Sequence, residues 1–332
     1  MYSVEYHSIV KNAKYFKSIL GNSKLCAVLK NDAYGHGLVR TAGALVGVAD
    51  CFAVGNVSDA LRIRAFAKDI LVLLPTPSDD VEIAVENGVI LTVDSLETLN
   101  TVIANTPRGK KARVHVKINS GMNRLGFDFD ELDTLSEYLA ETSKITVEGA
   151  FSHFYGSTVE ECDRQLAAFL RARDYLAHKL KQPLFSHVAN TSATLLDKKY
   201  HLDMVRVGLG LYGYGAPCLI PAKTVTASVI AVRYVPAGEK VSYGGEYITP
   251  HDTNIAVINV GYAQGLPRVL ARPNVKIGNN VFPIVGKICM AMCMVDVGGA
   301  KVSVGDSVVV QGDGINNATD EVIVYELLCN LQ

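Results

Sequence analysis

From residue 25 to about residue 213 the chain alternates two hydrophobic rhythms. Short apolar, β-branched runs come first: LCAVLK (25–30), CFAVGN (51–56), ILVLLP (70–75), VILTVD (89–94), ARVHVKIN (112–119), EGAFSHF (148–154), LFSHVANT (184–191) and MVRVGLGLYG (204–213). Their composition predicts strands. Between them lie segments such as SDALRIRAFAKD, SLETLNTVIANT and ECDRQLAAFLRARDYLAHKLK. Their apolar residues recur at helical spacing, and several open on a Ser or Asp suited to capping a helix. Eight strand-helix alternations predict a (β/α)8 barrel, with an open doubly wound sheet as the structural competitor. After about residue 217 the rhythm changes. TVTASVIAVRYV, EKVSYGGEY, TNIAVINVGYAQG, NVKIGNNVFPIVGKICM and DSVVVQGDG are strand-like runs divided by turn residues, without helical stretches between them. They predict a separate, mostly-β domain whose one helical segment is DEVIVYELLCNLQ. The division is residues 1–216 for the barrel and 217–332 for the β domain, with the first residues available to pair with the latter.

Composition narrows the partners. The 332 residues carry a net charge of -1, so no global field argues for nucleic acid or an acidic membrane surface. No stretch approaches the roughly 20 apolar residues that span a bilayer, and the N-terminus lacks a signal-peptide core, so a soluble, cytoplasmic protein with a small-molecule partner is expected. The seven cysteines are an odd number, mostly set in apolar strings, and read as reduced packing residues. Cys289 and Cys293 have no second pair nearby to complete a zinc site, so no metal is expected.

Barrel chemistry sits at the C-terminal ends of the strands, which makes the polar residues there informative. Lys30 ends the first run with Tyr34 just beyond. Lys117 lies on the fifth, leading to Arg124; His153 is on the sixth, His187 and Asn190 before Thr191 on the seventh, and Arg206 on the eighth. Each alone has a bland structural explanation. Several cations converging on one rim are costly unless an anion or cofactor meets them. Asn190-Thr191-Ser192 and Val207-Gly208-Leu209-Gly210 supply hydroxyls and amides where barrels often hold a phosphate. A phosphate site beside a lysine suggests pyridoxal phosphate. A sugar-phosphate isomerase would account for both features equally well.

These blocks resemble the bacterial alanine racemases, a pyridoxal-phosphate family built from a barrel and a β domain. AVLKNDAYGHG resembles the family's cofactor-lysine motif and KINSGMNRLGF its arginine loop. SHF, HVANTSATL and MVRVGLGLYGYGAP resemble the rims of strands six to eight, and VSYGGEY, NVGYAQGLPR and IVGKICMAMCMVDV the signature stretches of the β domain. The resemblance implies that Lys30 is the Schiff-base lysine and one catalytic base, and that Tyr243 is the opposite base, with His153 hydrogen-bonded to Tyr243. Arg206 would face the pyridine nitrogen and keep it unprotonated. Arg124 would contact the cofactor's phenolic oxygen and the substrate carboxylate, oriented by a Lys117 that is often carbamylated in the family. His187 would flank the ring, with Tyr34, Asn190, Thr191, Gly208 and Leu209 around the phosphate. Tyr243, Tyr262 and Met290 would reach into the second subunit of a homodimer with composite active sites. The implied activity is interconversion of L- and D-alanine, supplying D-alanine for cell-wall peptidoglycan. A serine or broad-specificity racemase, and a non-catalytic cofactor-binding relative, are the alternatives; a degenerate partner-binding descendant is a third. Asn119, Gln264 and Ala291 stand where the family usually has aspartates. The sequence ends at Gln332, short of a strand with a further phosphate-contacting tyrosine, and weaker cofactor retention is expected from that.

Overall fold

The structure, a computed structural model, describes residues 1–268, 273–319 and 322–331; the terminal Gln332 lies outside them. Two compact units are present. One comprises Tyr6–Ala33 and Gly37–Ile220, the other Met1–Glu5, Tyr34–His36 and the chain from Pro221 onward.

The first unit is a barrel of eight parallel strands: Lys24–Val28, Cys51–Val54, Ile70–Val72, Ile90–Val93, Ala112–Lys117, Ile145–Phe151, Phe185–His187 and Met204–Val207. The first strand pairs with both the second and the eighth. Between the seventh and eighth, Asp203 N donates to Ser186 O at 3.1 Å and Arg206 N to Ala189 O at 2.9 Å, which closes the ring. The predicted (β/α)8 barrel is thus the architecture, and the open sheet is excluded. Seven of the eight strands are shorter than the apolar runs predicted, because each run spends its last residues leaving the barrel; the sixth, Ile145–Phe151, is as long as its run but begins three residues earlier. LFSHVANT, for example, leaves the strand after His187 and enters the helix Thr191–Leu196.

The helical segments carry their own start signals. Ser95 caps Leu96–Asn105, its Oγ accepting from Thr98 N while the Thr98 hydroxyl accepts from Ser95 N. Thr158 and Glu161 form the same reciprocal box at the start of Val159–Leu180. In the segment after Cys51–Val54 the cap is Asn56, two residues ahead of the serine that opens SDALRIRAFAKD.

The second unit is an antiparallel sheet in the order Tyr2–Val4, Lys223–Val235, Thr253–Ile258, Cys293–Gly298, Asn280–Val285, Asn274–Ile277, Ser307–Gln311. Ser307–Gln311 also pairs with Lys223–Val235, so six of the strands close on themselves, while Tyr2–Val4 lies against the same long strand. Its core is packed by Val225, Ile258, Val275, Val295, Val308 and Val310, with Leu327 from the helix Val324–Asn330. The run EKVSYGGEY is not one strand. It is two two-residue strands, Lys240–Val241 and Tyr247–Ile248, around the turn Tyr243–Gly245, because Ser242, Gly244 and Gly245 all take positive φ.

Candidate active site

The most unusual backbone of the barrel lies where Lys30 sits. Lys30 is not the end of a strand, as the apolar run suggested; it opens a six-residue turn, Lys30–Gly35. Asn31, Asp32, Ala33 and Tyr34 all have φ between 52° and 55°, which makes this turn left-handed. Asn and Asp tolerate that region, whereas for Ala and Tyr it costs about 1–2 kcal/mol each. The strain is held by Asp32, whose carboxylate accepts from Leu38 N at 2.8 Å and whose carbonyl accepts from Gly37 N at 2.9 Å.

Around the same rim the barrel gathers Lys117, Arg124, His153, His187 and Arg206. Arg206 is the best-anchored of them. From the eighth strand its Nη1 reaches His187 Nδ1 at 2.7 Å and His187 O at 3.0 Å, and its Nη2 reaches Ser152 O at 2.6 Å, Val188 O at 3.3 Å and His153 Nδ1 at 3.2 Å. Burial lowers its pKa to about 10, so it remains protonated near neutrality. A guanidinium only donates, which settles both tautomers: His187 and His153 each present a bare Nδ1 to Arg206 and carry their proton on Nε2.

Lys117, at the end of the fifth strand, is buried, with its Nζ 5.6 Å from the centre of the Phe151 ring. Burial, then Arg124 and Arg206, lower its pKa to about 8, against an opposing contribution from Asp94 and with a further lowering from Lys30. His153 is pushed down to about 3 by burial and by Arg206, Arg124, Lys117 and Lys30. The rim is therefore a site of mutually repelling cations with Asp94 as a counterweight. It fits an anionic aromatic ligand that accepts hydrogen bonds.

Arg124 lies on a loop fastened from within. Asn119 Oδ1 accepts from Gly121 N at 3.1 Å and Asn123 N at 3.0 Å, and its Nδ2 donates to Asn123 Oδ1 at 3.0 Å and Asp128 Oδ1 at 2.8 Å. An aspartate at residue 119 would set two carboxylates together, so the departure from the family's usual residue is matched by Asp128. Thr191 Oγ1 accepts from Gly210 N at 3.1 Å, which binds the starts of the turns after strands seven and eight. Asn190 caps the helix Thr191–Leu196 through Ala193 N, and Gly208 and Leu209 open the turn Leu209–Tyr212. Amides at such starts lack intrahelical acceptors and suit a phosphate.

The remaining predicted residues lie in the other unit. Tyr34 is buried there, its ring 5.6 Å from that of Tyr325, and its pKa is raised by burial first and by Tyr325 next. Tyr243, Tyr262 and Met290 are 72%, 41% and 61% exposed. Their loops are tied together: Tyr262 N donates to Cys289 O at 3.1 Å, Ala263 N to Met290 O at 2.8 Å, and Ser242 Oγ to Lys287 O at 2.7 Å. Gln264, the second departure, caps the Tyr262 turn by accepting from Gly261 N at 3.0 Å. Ala291 has no such visible role.

Comparison with known proteins decides the family. The family model described as alanine racemase, N-terminal domain, matches residues 4–216, and that of the C-terminal domain matches residues 222–332. The chain belongs to the alanine racemase family. Alanine racemase 2 of Caldanaerobacter subterraneus subsp. tengcongensis is 36% identical over 99% of this chain and 91% of its own length. That of Methanococcus maripaludis is 33% identical over 98% and 94%. Among solved structures, the alanine racemase of Clostridium difficile superposes with a TM-score of 0.89 at 31% identity, covering 100% of this chain and 93% of that one. The enzyme of Bacillus anthracis, solved with bound L-Ala-P, gives 0.88 at 29%, with 100% and 92% covered.

Two buried imidazoles in this racemase-family barrel, His115 and His187, make it acid-sensitive. His115 is held down to about 3 by burial, then Arg113 and Arg206, and His187 lies well below its ordinary value for the same first reason. The unfolded chain takes up these protons below about pH 6.5 and the folded chain does not. Stability is therefore full above pH 6.5 and lost as the pH falls toward 3. At pH 5 His115 alone costs about 2 kcal/mol. Urea midpoints at pH 7.5, 6 and 5 should fall in that order; equal midpoints would show that the imidazoles can be protonated in place.

Proposed function

We propose that the protein interconverts L- and D-alanine with pyridoxal phosphate, in a homodimer whose sites are each completed by the second subunit, and supplies D-alanine for cell-wall synthesis. The observation that carries this reading is the rim itself: Lys117, Arg124 and His153 line one pocket, Lys30 and a fully anchored Arg206 lie close enough to lower the pKa values of Lys117 and His153, and so many cations together call for an anionic ligand. The relatedness to alanine racemases over nearly the whole chain supports pyridoxal phosphate as that ligand.

Lys30 would hold the cofactor covalently, Arg206 would donate to its ring nitrogen, and Thr191 with the amides of Gly208 and Leu209 would hold its phosphate. Asn190, Tyr34 and His187 complete the surroundings. When bound, pyridoxal phosphate supplies the electron sink that makes an amino acid's Cα proton acidic. The protein's task is then to move that proton on two faces. Lys30 Nζ takes it on one side, and the Tyr243 hydroxyl of the second subunit returns one on the other. His153 has its proton on Nε2 because Arg206 occupies Nδ1. It is therefore set to donate a hydrogen bond to the Tyr243 oxygen of the second subunit. Arg206 does not release a proton at neutral pH, so it stabilises the ring without protonating it, which disfavours competing reactions of the substrate. Arg124 would bind the substrate carboxylate, and Tyr262 and Met290 of the second subunit would narrow the entrance. Lys117, with a pKa of about 8, keeps a neutral fraction near neutrality. A neutral amine can take up carbon dioxide, and the resulting carbamate would orient Arg124 by charge.

The exposed tyrosines and methionine of the β unit support the dimer, since a side chain as large as Tyr243 standing 72% exposed in a subunit is accounted for by a second subunit. The test is turnover of L-alanine and L-serine by the protein loaded with pyridoxal phosphate. The reading predicts a higher kcat/KM for alanine. A higher value for serine would move it to the serine racemase alternative, and turnover of neither would favour the non-catalytic one.

A further inference from the structure

Arg206 faces two histidines, and the reading above gives only His153 a part in moving protons. The second, His187, leads away from the rim. Its Nδ1 accepts from Arg206 and its Nε2 lies 2.9 Å from Nδ1 of His115, on the neighbouring interior of the barrel. The donor sequence is forced from one end. Arg206 has only protons to give, so His187 Nδ1 is bare and His187 Nε2 carries the proton; His115 Nδ1 must then be bare to receive it, and His115 carries its own proton on Nε2. Both rings are buried, and the His187 ring stacks on Phe151 at 4.9 Å with a 12° interplanar angle, which fixes its plane. Gly149 makes room for His115: a Cβ there would meet His115 Nε2 at 3.0 Å and Phe185 O at 2.4 Å.

The other end of this chain is not at the rim at all. His115 lines a cavity of about 190 Å³ at the foot of the barrel, bounded by Lys24, Asp50, Asp69, Arg113 and Glu148. There Arg113 is occupied by Glu148 at 2.7 Å and 2.9 Å and by Asp69 at 2.7 Å. Among the described residues His115 Nε2 has no hydrogen-bond partner.

The geometry points to His115 as a positioning residue for the reaction: by accepting from His187 Nε2 it locks His187 in the tautomer that receives Arg206, and so holds the guanidinium aimed at the rim. The inference rests on Arg206 being the group that meets the cofactor ring. Its logic is that of a partner that fixes the free nitrogen of an orienting histidine. Without an acceptor at His115, His187 can move its proton to Nδ1, where it would confront the Nη1 protons of Arg206 and push the guanidinium off its axis.

The relay is tested by nitrogen NMR and by two substitutions. In protein labelled with 15N-histidine, with and without cofactor, His115 and His187 should both give the Nε2-protonated, Nδ1-bare pattern, unchanged from pH 8 to 6. In His115→Phe the pattern of His187 should become mixed, and kcat for alanine should fall on the order of tenfold with KM little changed. His115→Asn places an amide oxygen near the position of Nδ1 and should restore both the His187 pattern and most of kcat. Circular dichroism separates this from misfolding, and the asparagine variant decides the point if the phenylalanine variant does not fold. Nδ1-protonated His187 in the parent protein, or His115→Phe with parental kcat and spectra, would overturn the proposal. If the parent protein racemises nothing, the functional reading fails while the nitrogen spectra still decide the relay.

Discussion

Replacing Lys30 by alanine is expected to abolish racemisation, with a loss in kcat of at least about 10³-fold, because it removes both the covalent seat of the cofactor and one of two proton carriers. Borohydride treatment of the parent loaded with pyridoxal phosphate should leave a pyridoxyl group on the peptide containing Lys30, and the variant should carry none there. The fold should be unaffected. Lys30 is only partly buried, and the Asp32 carboxylate fastens the left-handed turn through Leu38 N. A variant that keeps a reducible adduct and activity would place the cofactor on another amine, with Lys117 the candidate because its pKa is already lowered to about 8.

Replacing Tyr243 by phenylalanine should cost about 10²–10⁴-fold in kcat, the usual scale for loss of a positioned acid or base. Stability of the subunit fold should change by no more than about 0.5 kcal/mol, since within its own subunit the side chain is exposed. Exchange of the Cα proton should survive from one enantiomer only. Composite sites add a sharper expectation. Mixing Lys30→Ala and Tyr243→Phe subunits should restore roughly a quarter of parental activity, because half the dimers are mixed and each has one intact site. No recovery after subunit exchange has been demonstrated would mean that each subunit uses its own tyrosine.

The barrel and the β domain were legible because the two hydrophobic rhythms differ so plainly, and the rim residues because strand ends concentrate polar groups. The left-handed turn was not. Asn31-Asp32 and Gly35 are a turn signal, but nothing in the sequence shows that Ala33 and Tyr34 are carried into positive φ with them. The place of His115 is legible in the strand pattern itself. In Arg113-Val114-His115-Val116-Lys117 the valines alternate with three polar residues, and a barrel strand that sends its valines outward against helices must line its interior with the rest. Read that way, a polar column runs from the foot of the barrel to the rim. Asn119 and Gln264, noted as missing acids, serve as loop fasteners, a role that depends on the amide and acceptor partners each finds in the fold.

The central claim, that two bases work on opposite faces of one carbon, is tested most directly with the purified protein, pyridoxal phosphate and L-alanine in heavy water. Deuterium at Cα and optical rotation are followed together. The account predicts that deuterium enters as the rotation decays to zero, so that D-alanine forms already labelled. Deuteration with retained configuration would contradict it, leaving a protein in which only one base acts.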